Sequence, residues 1–302
     1  MERKKFVFIG TGIIGAGLAV NSALKQNQTV LYDVVEINVM KERIQSILDI
    51  MVEAGACDNE AAKIALNHCT FTNDLNEAVK DAYFVQECIP ERIEMKRELY
   101  QKIQNTAGCK PLIASSTSTF MPSDLQQEAI YPDRILVGHP YNPSYLLPLI
   151  EIVGGQFTTA ETIEEAKEIY RNMGKAPSHC RKEVFGYIVQ NINFELSEMA
   201  AKLVEDGVGT AEDIDNALMY GPGMRLPITG QLLTISLGID GGWRQMRPKY
   251  DNLPSTEADI MVAEQIDEEL ANRPEELGND RESVTKFRDK MLVAMLKVQN
   301  ML

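Results

Sequence analysis

The sequence predicts an α/β protein, a doubly wound parallel sheet followed by an all-helical C-terminal domain. Three observations predict it. Short apolar runs alternate with amphipathic stretches through the first part of the chain. A glycine-rich turn, Gly10-Thr11-Gly12-Ile13-Ile14-Gly15, separates the first apolar run from the first helical stretch. From Phe185 onward the strand signals vanish and only helical spacing remains.

The elements follow in order. Lys5 to Ile9 is a short apolar run stopped by Gly10, a buried-strand pattern. Ala16 to Leu24 is rich in Ala and Leu and reads as a helix. Gln28 to Tyr32 reads as a second strand, ending in Asp33. Gly10 permits a tight turn, Gly12 lets the backbone approach a pyrophosphate at a helix N-terminus, and Gly15 lets helix and strand pack closely. Asp33 follows at the distance where a carboxylate binds a ribose 2′-OH and repels a 2′-phosphate. Strand, glycine turn, helix, strand and acid in this order mark a Rossmann-type fold that prefers NAD to NADP. Gly10, Gly12, Ile13, Ile14, Gly15 and Asp33 are the cofactor-binding candidates.

Glu36 to Ala54 and Asn59 to Leu66 carry helical spacing. Cys69 to Phe71 and Tyr83 to Gln86 read as strands, Glu91 to Ile103 as a helix, and Leu112 to Ala114 and Ile135 to Val137 as the last strands of a parallel sheet. Phe185 to Leu203 reads as one long amphipathic helix. Thr210 with Asp213 looks like a helix start, Gly221-Pro222-Gly223 is a break, and helices are expected over Leu226 to Leu237, Glu257 to Leu270 and Arg281 to Met301. The boundary falls near residues 181–184. This gives a nucleotide-binding domain over 1–183 and a helical domain over 184–302.

Composition excludes several function classes. A net charge of −14 over 302 residues disfavours nucleic acid and an anionic membrane surface. Five cysteines without a CxxC pair fit a reducing, cytoplasmic setting. His68, His139 and His179 lie far apart, so no metal site is expected. Arg3-Lys4-Lys5 before an apolar run has the outline of a signal peptide, but the glycine fingerprint interrupts that run. No apolar stretch approaches the roughly 20 residues of a membrane span.

Oxidising an alcohol with NAD requires a base for the hydroxyl proton, and histidine titrates near working pH. His139 is placed in a loop just after the strand Ile135 to Val137, at the sheet's ligand-binding edge. Glu151, beyond a short apolar run, is positioned to return and orient it. Alone, such a histidine is more often a satisfied structural one.

The context is more specific. Ala114-Ser115-Ser116-Thr117-Ser118, Gly138-His139-Pro140-Tyr141-Asn142-Pro143, Leu149-Ile150-Glu151-Ile152-Val153 and Gly186-Tyr187-Ile188-Val189 together resemble the 3-hydroxyacyl-CoA dehydrogenase superfamily, over essentially the whole chain. His139-Pro140, the run Tyr145 to Leu149, the run Ser116 to Leu125 and Gly223-Met224-Arg225 bring the resemblance nearer to the branch of L-carnitine dehydrogenase and lambda-crystallin (L-gulonate 3-dehydrogenase).

The resemblance implies NAD-dependent oxidation of the 3-hydroxyl of a small 3-hydroxy acid, with L-carnitine the leading substrate. A 3-hydroxyacyl-CoA, L-gulonate and a non-catalytic NAD-binding role are the alternatives. It makes His139 the general base, oriented by Glu151. Ser118 and Asn142 hydrogen-bond the substrate oxygen or the nicotinamide amide. Glu91 and Lys96 contact the cofactor, although by spacing alone they read as helix-surface charges. The helical domain resembles the family's dimerisation domain, which implies a homodimer. The family's usual Asn after Gly-Phe-Ile-Val is Gln190 here, followed by Asn191, and either amide is a substrate-contact candidate.

Charge bears on the substrate. Residues 36–66 hold Lys41, Arg43 and Lys63 against six acids, which repels a CoA phosphate. A quaternary ammonium would want aromatic faces, and Trp243, Tyr141, Tyr145 and Tyr187 are the candidates. For Trp243 the alternative is plain core packing or a dimer interface. Arg225 is a candidate for the substrate carboxylate, with a surface or interface salt bridge as its alternative.

Overall fold

The structure, a computed structural model, describes residues 4–302, so Arg3 of the basic N-terminal start lies outside it. The chain divides into two compact units, Met1–Phe194 and Glu195–Leu302.

In the first unit, β1 (Lys5–Ile9), α1 (Ile13–Leu24) and β2 (Gln28–Tyr32) occupy the stretch where the fingerprint predicts them. Then come α2 (Ile37–Glu53), α3 (Asn59–Asn67), β3 (Cys69–Thr72), α4 (Leu75–Val79), β4 (Phe84–Glu87), α5 (Ile93–Thr106), β5 (Leu112–Ser115), α6 (Pro122–Leu125) and β6 (Ile135–Pro140). The unit continues with β7 (Leu149–Gly154), α7 (Ala160–Asn172), β8 (Ala176–Cys180) and the start of α8 (Val189–Glu205).

The eight strands form one sheet in the order β3-β2-β1-β4-β5-β6-β7-β8. From β3 to β6 all pairs are parallel. The sheet is not wholly parallel, however. β7 returns antiparallel to β6, and β8 runs parallel to β7. The short connection over 141–148 explains the reversal, because a parallel return needs a crossover of a dozen or more residues. Pairing with β7 also extends β6 to Pro140, so His139 lies within a strand and not in the loop expected for it.

Alternate residues of each strand enter opposite cores. Phe6, Phe8, Leu31, Phe84, Ile150 and Ile152 face one side with α1, α2 and α7 residues such as Leu18, Ile44 and Ile169. Val7, Ile9, Val30, Val85, Val137 and Val153 face the other with Tyr100 and Ile103 of α5. Burying one such large side chain contributes roughly 1.5–3 kcal/mol, so covering both faces fixes the register of the central strands.

The second unit contains the rest of α8, then α9 (Ala211–Tyr220), α10 (Pro222–Thr229), α11 (Gln231–Leu237), α12 (Met246–Tyr250), α13 (Glu257–Ala271) and α14 (Arg281–Val298). Thr210 and Asp213 form the expected capping box, and Thr256 with Asp259 forms another. Two sequence expectations need correction. The helix expected from Phe185 begins at Val189, because Gly186 and Tyr187 both have positive φ. The helix expected over Leu226 to Leu237 is two, divided at Gly230, whose φ of +67° no helix accommodates. The unit's small core is Leu233, Ile266 and Val284, with Leu237, Trp243, Val262 and Leu270 packed on it.

Candidate active site

The carboxyl ends of β1, β2, β4, β5 and β6 share one edge of the sheet, the edge where open α/β folds bind ligands. The glycine turn leaves β1 there, and Asp33 leaves β2. Glu91, Ser118 and Asn142 lie in the chain just beyond β4, β5 and β6.

At the turn, Gly10 takes a φ of +90°, and a Cβ on it would meet the Cys88 carbonyl oxygen at 2.5 Å. A Cβ on Gly15 would lie 1.9 Å from the Gly10 carbonyl oxygen, so this residue admits no side chain. Gly12 differs. A Cβ there would meet nothing within 4 Å, and Gly12 opens α1 with no side-chain cap. The backbone is therefore bare on the side where a pyrophosphate would approach, which fits a dinucleotide. Ile13 is 71% exposed beside it, and Ile14 is half-buried with its carbonyl accepting from Ser144 Oγ at 3.1 Å.

Asp33 closes the turn from β2. Its Oδ2 accepts from Thr11 N at 2.6 Å and Thr11 Oγ1 at 2.7 Å, and its Oδ1 accepts from Val34 N at 2.7 Å. Partial burial raises its pKa, but these hydrogen bonds outweigh that and hold the carboxyl below its ordinary value. The Arg43 guanidinium stands 3.8 Å from Oδ2. Gly12, Ile13, Arg43, Ile47 and Tyr145 line a cavity of about 530 Å³ beside the turn.

The base candidate is set by sheet register. His139 on β6 pairs with Glu151 on β7, so both side chains leave the same face. His139 Nδ1 and Glu151 Oε2 are 2.9 Å apart, and both residues are buried. Glu151 Oε1 accepts from the backbone N–H of Ile188 at 2.8 Å and of Val189 at 2.9 Å. An ionised carboxylate only accepts, so beside it a neutral imidazole carries its proton on Nδ1 and leaves the Nε2 lone pair free. Gly138 is required beneath this pair, since a Cβ on it would collide with the Tyr170 hydroxyl at 1.8 Å. That hydroxyl donates to Gln86 Oε1 at 2.6 Å, and Gln86 Nε2 donates to the Gly138 carbonyl at 3.2 Å.

A second buried group went unread in the sequence. Glu87, at the end of β4, is fully buried. Its carboxylate accepts from Lys96 Nζ at 2.7 Å, Tyr100 OH at 2.6 Å, Ser115 Oγ at 2.6 Å and Ile89 N at 2.8 Å. Lys96 Nζ also lies 3.2 Å from Glu91 Oε2. The reading of Lys96 as a helix-surface charge therefore fails, because it is 1% exposed. It holds Glu91 at the sheet edge. Glu91 in turn accepts from the Thr117 hydroxyl, next to Ser118. The hint in the sequence was a Lys and a Tyr one helical turn apart, at 96 and 100, a pair that shares one helix face.

Residues 5–184 match the model of the 3-hydroxyacyl-CoA dehydrogenase NAD binding domain, and residues 186–279 match that of the 3-hydroxyacyl-CoA dehydrogenase C-terminal domain. The chain belongs to the 3-hydroxyacyl-CoA dehydrogenase family. It is an NAD-dependent dehydrogenase of that family. An L-carnitine dehydrogenase from Pseudomonas sp is 35% identical over 303 residues, which cover 97% of this chain and 93% of that one. Another from Oceanobacillus iheyensis is 36% identical, covering 97% of both. Among solved structures, a 3-hydroxybutyryl-CoA dehydrogenase from Escherichia coli K12 matches with a TM-score of 0.68 and 28% identity, over 78% of this chain and 50% of that one.

The remaining dehydrogenase candidates are distributed as follows. Ser118 is half-buried and Asn142 is exposed, each beyond its strand end. Gln190 is half-buried. Asn191 does not offer a free amide donor of the kind expected, since its Nδ2 donates to the carbonyls of Phe185 at 2.8 Å and Tyr187 at 2.5 Å. Its amide fastens the turn before α8 instead. Arg225, on α10, is exposed and has no ion pair among the described residues. Trp243 packs on the Leu233–Ile266–Val284 core, so the plain packing alternative describes it better than an open aromatic wall.

Proposed function

We propose that this dehydrogenase oxidises the 3-hydroxyl of a small free 3-hydroxy acid to the 3-keto acid, with L-carnitine the leading substrate. The observation that carries the reaction is the His139–Glu151 pair, whose hydrogen bond leaves Nε2 as the available base. His139 takes the hydroxyl proton at Nε2. The Glu151 carboxylate holds the ring by Nδ1 and stabilises the imidazolium that forms. Ser118 and Asn142 orient the reacting oxygen from the loops beyond β5 and β6. Bound NAD, held by Gly12, Ile13 and Asp33, supplies the hydride acceptor.

The choice of a free acid rests on charge and on likeness. Residues 36–66 carry six acids against three bases, and relatives named L-carnitine dehydrogenase match along nearly their whole length. A cationic substrate suits a chain of net charge −14. The second reading is a 3-hydroxyacyl-CoA substrate, favoured by the E. coli 3-hydroxybutyryl-CoA dehydrogenase likeness. We also infer a homodimer, supported by the exposed apolar residues of α8, which include Leu196, Met199 and Val204. Sedimentation at micromolar concentration tests that inference, and a monomer would refute it.

The deciding experiment is a panel of L-carnitine, L-gulonate, 3-hydroxybutyrate and 3-hydroxybutyryl-CoA with NAD at alkaline pH, read as NADH formation. Turnover of L-carnitine, lost in His139→Ala with NADH affinity retained, is the expected result. Turnover of the CoA ester alone would select the second reading.

A further inference from the structure

We propose that Tyr187 is a positioning residue that holds the Ser118 loop at a fixed separation from the imidazole of His139. The proposal rests on the reading of His139 as base and Ser118 as a substrate contact.

Two contacts of one side chain carry it. The Tyr187 ring stands edge-on to the imidazole, with centroids 5.4 Å apart and planes at 60°. Its hydroxyl lies 2.9 Å from the Phe120 carbonyl oxygen and 3.2 Å from that of Thr117. Those two carbonyls bracket Ser118. A phenol has one proton, so it serves one carbonyl at a time, and either bond pins the same loop. Burial raises the hydroxyl's pKa, which keeps it a donor throughout the working range.

The loop can be pinned at one point because it is already a closed turn. Thr117 Oγ1 accepts from Thr119 N at 3.1 Å and from Phe120 N at 3.0 Å, and its own proton goes to Glu91. Such a turn moves as a body. Glu91 restrains it on the side of β4, and Tyr187 restrains it on the side of the base.

The backbone at Tyr187 points the same way. A φ of +51° at a bulky aromatic residue is disfavoured and persists only where several contacts determine it. Here Asn191 holds the Tyr187 carbonyl, and Glu151 holds the next two N–H groups. The carboxylate that orients His139 therefore also fixes the segment from which Tyr187 reaches the loop. A phenylalanine at this position would fill the same space and brace the ring, yet it would leave the loop untied.

Tyr187→Phe tests the tie alone. Hydrogen–deuterium exchange should rise in a peptide spanning residues 116–121 and stay unchanged over residues 5–15. With the substrate that turns over, kcat should fall roughly threefold to tenfold, with KM for NAD unchanged. In a Ser118→Ala background the same change should have no further effect on kcat, because the group being positioned is gone. Unchanged exchange over 116–121 overturns the proposal whatever the substrate. Equal losses in the two backgrounds overturn it as well, since they would show a general structural role. Failure of the His139 reading is separate, being read from normal turnover by His139→Ala.

Discussion

His139 and Glu151 sit directly opposite each other on antiparallel strands, 2.9 Å apart between Nδ1 and Oε2. Glu151→Gln keeps a carbonyl oxygen for the Ile188 and Val189 N–H groups but removes the charge that stabilises a protonated imidazole. We expect kcat to fall by about 10²–10⁴-fold, with NADH affinity close to wild type. Steady-state kinetics beside an NADH fluorescence titration checks this, and a wild-type kcat would refute the role given to Glu151.

Gly12 and Gly15 should separate binding from folding. Alanine at Gly15 places a methyl group 1.9 Å from the Gly10 carbonyl oxygen, so the turn must open. Gly15→Ala should lower the melting temperature and abolish NAD binding together. Alanine at Gly12 meets no protein atom within 4 Å, so Gly12→Ala should melt near wild type while binding NADH more weakly. Equal melting temperatures for the two variants would contradict this contrast.

Asp33→Ser removes a carboxylate that Thr11 and Val34 hold ionised. Losing a charged hydrogen bond to ribose should weaken NADH binding by roughly tenfold to a hundredfold. NADPH binding should improve, since the repulsive charge is gone and Arg43 remains nearby. Fluorescence titrations with both nucleotides decide the matter, and unchanged discrimination would count against Asp33 as the selecting residue.

Lys96→Met leaves the Glu87 carboxylate buried without its cation. Removing one partner of a buried pair typically costs about 3–5 kcal/mol. Tyr100, Ser115 and Ile89 still donate to Glu87, which should keep the loss toward the lower end. Urea unfolding measures it. A change below about 1 kcal/mol would mean the pair behaves like an exposed one.

Lys175 gives a pH dependence. Burial lowers its pKa from 10.5 to about 8, while its ammonium group donates to the carbonyls of Ser144 and Leu147. Below pH 8 the folded and unfolded chains both carry this proton. Between about 8 and 10.5 the unfolded lysine stays protonated while the folded one has released its proton, so this group makes stability rise with pH. Lys175→Met should flatten that part of the stability profile. Unfolding midpoints at pH 7.5 and 10 in both proteins would show it, and identical slopes would exclude it.

What the sequence made legible follows local chemistry. The β1–α1–β2 unit could be read because glycines and an acid mark it within one stretch of chain. The Thr210–Asp213 cap was readable for the same reason. β7 was harder, because both of its faces are covered and the run around Glu151 lacks a polar–apolar alternation. β8 lies at the sheet edge, contains Pro177 and has no β-branched residue, so nothing in its composition signals a strand. The Glu87 cluster joins residues from β4, α5 and β5, and only the sheet order brings them together. The roles of His139 and Glu151 are what the family resemblance implies, but their meeting depends on a strand reversal that the motifs do not reveal.

That reversal turns the base and its partner into a matter of parity. Side chains alternate along β7, so a shift by one residue would put Ile150 or Ile152 opposite His139 and send Glu151 to the far side. No intermediate alignment exists in which the carboxylate is merely weakened. Residues can be added to or removed from the connection over 141–148 without touching the pair, so long as β7 keeps its seat. One residue inserted between Leu149 and Glu151 would remove it outright. Across this family's chains, length variation should therefore be tolerated before β7 and forbidden within it.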